Sequence, residues 1–167
     1  MMTQLRKTLN KITAFLSCLI MGVMTILVTW QVITRFVLNS PSTITEALAK
    51  YLFLWLVMIA SAYVIGKRDH MNLQLVLHKL NPINQIRFGI ASEVIIFLFV
   101  LCVLVYGGGY IAVNAMSQMD SALPVPVGVV YLALPAGGIL AAIYCLCNLT
   151  DFIKLYKQEK EEGVHHD

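Results

Sequence analysis

Long apolar runs alternate with short polar breaks along the chain. Ile12 to Thr34 and Pro126 to Asn148 contain no charged residue, Ile44 to Gly66 contains only Glu46 and Lys50, and Phe88 to Asn114 contains only Glu93. A helix rises ~1.5 Å per residue and needs about 20 residues to cross the hydrocarbon of a bilayer, so each run can span. The expected fold is an all-α integral membrane protein. It forms a single membrane domain over residues 1–167, with transmembrane helices at about 12–34, 44–66, 88–114 and 126–148.

The breaks have their own patterns. "RFVLNSPST", Arg35 to Thr43, is short enough to make the first two spans a tight antiparallel hairpin, with Asn39, Ser40 and Pro41 as its turn residues. Thr43 and Glu46 have the spacing of a capping box, which would start the second span at Thr43. The link 67–81, "KRDHMNLQLVLHKLN", is too short to span and too apolar for a free loop. Its Leu73, Val76, Leu77 and Leu80 follow the i, i+3, i+4, i+7 pattern, which predicts an interfacial amphipathic helix on the inner leaflet. Leu73, Leu75 and Leu77 also alternate as a strand would. Asn81 and Pro82 suit the cap and first position of the third helix. A cytoplasmic tail is expected over 151–167, in which "KLYKQEKEEGVHHD", Lys154 to Asp167, reads as a charged, frayed end.

Composition agrees with the pattern: 59% of residues are hydrophobic and 13% charged, and the mean hydropathy is +0.77. These values lie outside the range of soluble domains and leave no room for a separate one. The first run is longer than the core of a signal peptide and is followed by no A-x-A-like site, so it is read as retained. Charge then sets orientation. Arg6, Lys7 and Lys11 precede the first span, Lys67, Arg68, Lys79 and Arg87 fall between the second and third, and Lys154, Lys157 and Lys160 follow the fourth. Arg35 is the sole basic residue in the two opposite loops, which puts both termini in the cytoplasm. The net charge of +3 reflects this sorting and implies no nucleic-acid partner.

Few residues carry candidate chemistry. Glu46 and Lys50, an acid four residues before a base, form a favourable helical pair. Arg35 lies across the hairpin and can join them, either as a clasp between the first two spans or as a face toward a protein partner. Glu93 is expected to snorkel or pair with Arg87 or Lys67, with a proton or ion site as the alternative. His70, His78, His165 and His166 lie outside the spans, so none forms an intramembrane haem or metal pair. Cys18, Cys102, Cys145 and Cys147 lie within spans as small core residues. Ala133, Gly137, Ala141 and Cys145 recur every four residues, a strip that lets another helix approach closely. Pro135 is expected to kink the fourth span, and Gly107 to Gly109 to loosen the third. Nothing here has the grouping of an enzyme active site.

The order of these motifs resembles the small membrane subunit of tripartite ATP-independent periplasmic (TRAP) transporters, over nearly the whole chain. The matching residues are Arg35, the Ser40 and Pro41 turn, Glu46, Lys50, "YLFLW" ending at Trp55, then Arg68 and His70. Later "SALPVPVGVVYLALPAGG" matches through Pro126, Tyr131 and Pro135. Ala47 stands where the family usually has a second acid and Lys50 where it has Arg, which removes a bidentate fork. Ile44 replaces a frequent Trp, and Gln74 a frequent Asp.

The resemblance implies a bacterial inner-membrane scaffold bound tightly to a large elevator-type subunit and transiently to a periplasmic binding protein. Lipid would cover the remaining surface. The implied substrate is an organic anion such as sialic acid, a C4-dicarboxylate or another sugar acid. No cofactor is expected in this chain, and the coupling Na⁺ belongs to the large subunit. The strip in the fourth span, or the adjacent faces of the first two, is expected to pack on that subunit. Two other readings are weighed: a membrane thiol oxidoreductase, which needs cysteines in external loops, and a self-sufficient small proton-coupled exporter using Glu93.

Overall fold

The computed structural model describes residues 2–40, 42–67 and 82–164. Its helices are α1 (Met2–Phe36), α2 (Thr43–Lys67), α3 (Pro82–Phe99), a π-helical segment (Val100–Gly107), α4 (Gly108–Ala115), α5 (Val127–Tyr131) and α6 (Ala133–Val164). They form four stretches long and apolar enough to cross a membrane: Arg6–Phe36, Thr43–Lys67, Ile83–Ala115 and Val127–Glu159. The molecule is an integral membrane protein. Its α1–α2 turn marks one end of the bundle, called here the hairpin end. Arg6, Arg87 and Tyr156 mark the other, which carries both termini.

Polar residues at the ends account for the element boundaries. Asn39 adopts a left-handed φ of 49°, a conformation that Asn tolerates better than most residues. The Ser40 N–H then reaches back to the Thr34 carbonyl at 3.1 Å and closes α1. At the start of α2 the cap is Ser42, whose Oγ lies 3.5 Å from the Thr45 N–H. The expected Thr43–Glu46 capping box does not form, because Lys50 holds the Glu46 carboxylate at 2.7 Å. The interfacial helix expected over 67–81, with Leu73, Val76, Leu77 and Leu80, lies outside the described residues beyond Lys67. So do Arg68, His70, His78, His165 and His166. The tail does not fray from Lys154, since α6 continues as helix to Val164.

The fourth span breaks at Leu132, between α5 and α6. Pro135 has no N–H to give the Tyr131 carbonyl, so the regular ladder fails one turn before it. Bonds from Leu132 to Gly128 and from Ala136 to Leu132 carry the chain across the break. The third span is continuous but widens into π winding over Val100–Gly107. This turn rests Leu104 against Gly138 of α6 and ends where the Gly107 to Gly109 run was expected to loosen the helix.

Packing centres on α6. It lies against α2, α3 and the π segment, whereas α1 packs chiefly on α2. Of the apolar stretch of the fourth span, Val127–Glu159, 44% is buried inside the chain, against 6% for the first, so the fourth span is central and α1 peripheral. The core joins Ala62, Val100, Ala141, Ala142 and Tyr144, with Leu9, Ile65, Ile96 and Leu104 packed around it. Ala133, Gly137, Ala141 and Cys145 are all buried. At Gly137 a Cβ would stand 2.7 Å from the Met58 Cβ, so the strip brings α2 and α6 together within this chain. The expectation that it packs on a second protein is corrected accordingly, and only the faces of the first two spans remain for that role.

Candidate functional site

Two polar clusters stand out in an otherwise apolar molecule, one toward each end. At the hairpin end, Lys50 Nζ lies 2.7 Å from Glu46 Oε1, with 70% and 54% of the two side chains exposed. Helical i, i+4 spacing makes the pair, and exposure makes it weak as a structural tie. Arg35 lies within electrostatic reach of Glu46 but stacks on its own neighbour, 5.8 Å from the Phe36 ring centroid. Arg35, Glu46 and Lys50 therefore share one surface without forming a closed triad.

A residue pair not anticipated from sequence fastens this end. The loop 116–126 folds back through short antiparallel pairing of Met119 with Pro126, with Val127 N–H donating to Gln118 O at 2.9 Å. Pro126 is extended at the start of α5. Within the loop, Asp120 accepts hydrogen bonds from the Tyr51 hydroxyl of α2, from Ala122 N–H at 2.6 Å and from Leu123 N–H at 3.1 Å. Tyr131 is the last residue of α5. Asp120 thus ties the loop 116–126 to α2 next to the charged pair. Trp55, one turn farther along α2, is half-buried.

The Tyr51 hydroxyl, then the Ala122 and Leu123 amides, hold the Asp120 carboxyl below its ordinary value, and Lys50 adds to the effect. A carboxylate depressed in the folded state stabilises fully above its unfolded pKa and loses that contribution as pH falls through the folded value. The stability difference between wild type and Asp120→Asn in detergent is therefore expected to be largest near neutrality and to close below about pH 4. A difference independent of pH would remove this role.

Toward the opposite end, polar groups knit all four spans. Asn148 of α6 is fully buried and donates to the Ile65 carbonyl at 2.9 Å and to Glu93 Oε1 at 3.0 Å. The Cys145 thiol adjoins Glu93. The Thr13 and Tyr144 hydroxyls share a bond of 3.1 Å across α1 and α6. Arg6 reaches Asp151 at 2.9 Å and also donates to the Gly66 carbonyl. Carbonyls at the end of α2, which have no helical partner of their own, are thus taken up by α1 and α6.

This placement differs from the interfacial pairing expected for Glu93. Glu93 is 1% exposed and faces Asn148, while Arg87 donates to the Tyr156 hydroxyl at 3.3 Å and Lys67 sits 4.7 Å from the Tyr63 ring. The face of α3 that carries Glu93 turns onto α6, so the carboxyl meets an amide and cannot snorkel. The sequence holds a signal for this, since Ala141, Tyr144, Cys145 and Asn148 fall on one side of α6 at three- and four-residue steps.

Cys18 and Cys102 face outward, Cys145 and Cys147 are buried, and all four are free thiols. Among the described residues no cluster of three His, Cys, Asp or Glu side chains suits a metal. A model of the family described as tripartite ATP-independent periplasmic transporters, DctQ component, matches residues 24–155. A TRAP transporter small permease protein of Haemophilus influenzae is 27% identical over 156 residues, covering 92% of this chain and 94% of its own length. The sialic acid TRAP transporter small permease protein SiaQ of Vibrio cholerae is 26% identical over 151 residues, covering 90% and 87%.

Proposed function

Because the chain belongs to the DctQ-component family of tripartite ATP-independent periplasmic transporters, whose members are transporter subunits and not enzymes, we propose that it scaffolds the large membrane subunit of such a transporter. That partner would carry an organic anion inward by an elevator motion coupled to Na⁺, after delivery by a periplasmic binding protein. The complex would sit in the bacterial inner membrane, with both termini of this chain in the cytoplasm. The hairpin end, with Arg35, Glu46 and Lys50, would then face the periplasm.

The observation that carries this reading is the filled centre of the bundle. Ala62, Val100, Ala141 and Tyr144 are each at most 2% exposed, so side chains occupy the axis along which a transporter of this size would need a path. A filled centre suits a brace and leaves translocation to a partner. The outward surface of α1, with Phe15, Ile26 and Trp30 exposed, offers a broad apolar face for that partner. Sialic acid is the first substrate to test, given the name of the Vibrio cholerae relative, with C4-dicarboxylates and other sugar acids as the wider class.

Purification from the native membrane in mild detergent tests the proposal. Stoichiometric recovery of one larger multi-span protein is expected; recovery of the chain alone, or as a homodimer that transports when reconstituted, overturns it. Lys50→Ala is expected to leave the thermal midpoint of the isolated chain unchanged, because the pair is solvent-exposed, while lowering recovery of the larger protein. Unchanged recovery would assign the charged pair to this chain alone.

A further inference from the structure

Contacts between the spans fix their relative heights. Toward the end that carries the termini, Asn148 bonds to the Ile65 carbonyl and to Glu93, and Thr13 of α1 shares a bond with Tyr144, one turn from Asn148 on α6. Lys11, Lys67, Glu93 and Asn148 therefore lie within about one turn of a common level. Toward the hairpin end, Trp30 is six residues before the end of α1 and Lys50 seven after the start of α2, so both stand the same distance below the turn. The fourth span runs parallel to α2, with Gly137 on Met58 and Tyr144 on Gly66. Eight residues back from Met58 and Gly137 come Lys50 and Val129, the latter two residues from Tyr131. Gly128 faces Ala112 of the third span, two residues from Tyr110. Trp30, Lys50, Tyr110 and Tyr131 share this second level, and all four are exposed.

Between the two levels every span has nearly the same length. Seventeen residues separate Lys50 from Lys67, Tyr110 from Glu93 and Tyr131 from Asn148, and nineteen separate Trp30 from Lys11. At ~1.5 Å per residue the layer is about 26–28 Å deep, close to the ~30 Å of bilayer hydrocarbon. Trp and Tyr gather where hydrocarbon meets water, and Lys carries its charge out of the hydrocarbon. Past the lower level, α1 continues to Met2, α3 to Pro82 and α6 to Val164, whereas α2 ends at Lys67. These extensions hold Arg6, Lys7, Arg87, Lys154 and Lys157, charges that hydrocarbon excludes. Arg6 and Asp151 join two of them at 2.9 Å.

We propose that bilayer hydrocarbon covers this chain only between these two levels, and that the ends of α1, α3 and α6 form a collar standing in the headgroup layer and the water beyond it. Residues 83–92 then leave the membrane, although the helix they begin is apolar enough to span from Ile83. Glu93 and Asn148 sit at the foot of the collar, where lipid meets water. A self-sufficient transporter would keep its site near the midplane, so this position also separates Glu93 from such a role. The placement holds whichever side of the membrane carries the termini, and it does not rest on the transporter reading.

Thiol labelling of the full-length chain in permeabilised proteoliposomes, using a charged maleimide, tests the proposal. Cys18→Ser and Cys102→Ser first remove the exposed native thiols. Ala91→Cys on α3 and Ile153→Cys on α6 are exposed positions just past the lower level, and Val113→Cys is one just past the upper. All three are expected to be labelled fully. Leu98→Cys and Val103→Cys, exposed on the third span but inside the layer, are expected to escape the reagent until detergent removes the lipid. Protection of Ala91→Cys and Ile153→Cys would carry the hydrocarbon out to the helix ends and overturn the proposal. Labelling of Leu98→Cys as fast as Ala91→Cys would overturn it from the other side.

Discussion

Asn148→Leu is expected to lower the thermal midpoint of the detergent-solubilised chain more than any other single polar substitution. Asn148 donates to the Ile65 carbonyl on α2 and to Glu93 on α3, and all three spans meet at this amide. Leucine has the same branched skeleton with bulkier ends, so no cavity opens, and the loss is that of the polar partners with some overpacking added. A buried polar group left without its partner costs about 1–3 kcal/mol. Bonds between spans in lipid often measure less, because the unfolded state in the membrane also finds partners. A net cost of about 2–3 kcal/mol follows, and a chain of this size then melts about 4–12 °C lower. A shift under 2 °C would mean that packing alone holds the spans.

Glu93→Gln gives the same cluster a second test. The amide keeps the shape of the carboxyl and keeps a carbonyl to accept from Asn148, so the fold should survive with little loss. A carboxyl that only ties helices together is dispensable for transport by the complex, and uptake should persist. Loss of uptake with an unchanged thermal midpoint would instead make Glu93 a proton-carrying group, as the small-exporter reading requires. Asn148→Leu reports stability and Glu93→Gln reports chemistry, so the two variants separate roles that a deletion would confound.

The parts of this fold legible in sequence are those set by length and by short-range spacing. Four long apolar runs, two of them without a charge, can only be spans, because a bilayer imposes a minimum length and forbids unpaired backbone within it. Asn39 and Ser40 announced the turn, and Glu46 and Lys50 announced their own pairing, because one helical turn separates them. What depends on rotation of one helix about another was not legible. The strip from Ala133 to Cys145 signalled close approach, but the neighbours lie in the same chain: Met58 at Gly137 and Glu93 at Cys145. For Glu93 the structure gives Asn148 as neighbour in place of a surface cation, since hydropathy does not say which face of α3 turns inward. Asp120 lies in a loop whose path back to Tyr51 leaves no periodic trace. The capping box failed because Ser42 was available as a cap and Lys50 competed for Glu46.

Gly128→Ala should produce the second large effect, and by a route that reaches the hairpin end. A Cβ at Gly128 would stand 2.5 Å from the Ala112 carbonyl oxygen and 2.7 Å from the Met116 nitrogen. Both are backbone atoms of the third span and its exit, so no rotamer change can make room. One methyl group would have to drive α5 away from α4, and forced overpacking of this kind typically costs about 1–3 kcal/mol. Gly22→Ala supplies the control, because nothing lies within 4 Å of the position. There the better helix propensity of Ala, ~0.8–1 kcal/mol in a helix interior, should leave stability unchanged or raised. The two variants carry the same chemical change and should shift the thermal midpoint in opposite directions. Gly128→Ala has a further signature: the loop 116–126 connects α4 to α5, so separating them draws Asp120 from the Tyr51 hydroxyl. The pH-dependent stability that Asp120 contributes above about pH 4 should therefore shrink in Gly128→Ala as it does in Asp120→Asn. If Gly128→Ala melts lower but keeps the full Asp120 contribution, the loop is anchored by Tyr51 alone and not by the seating of α5 on α4.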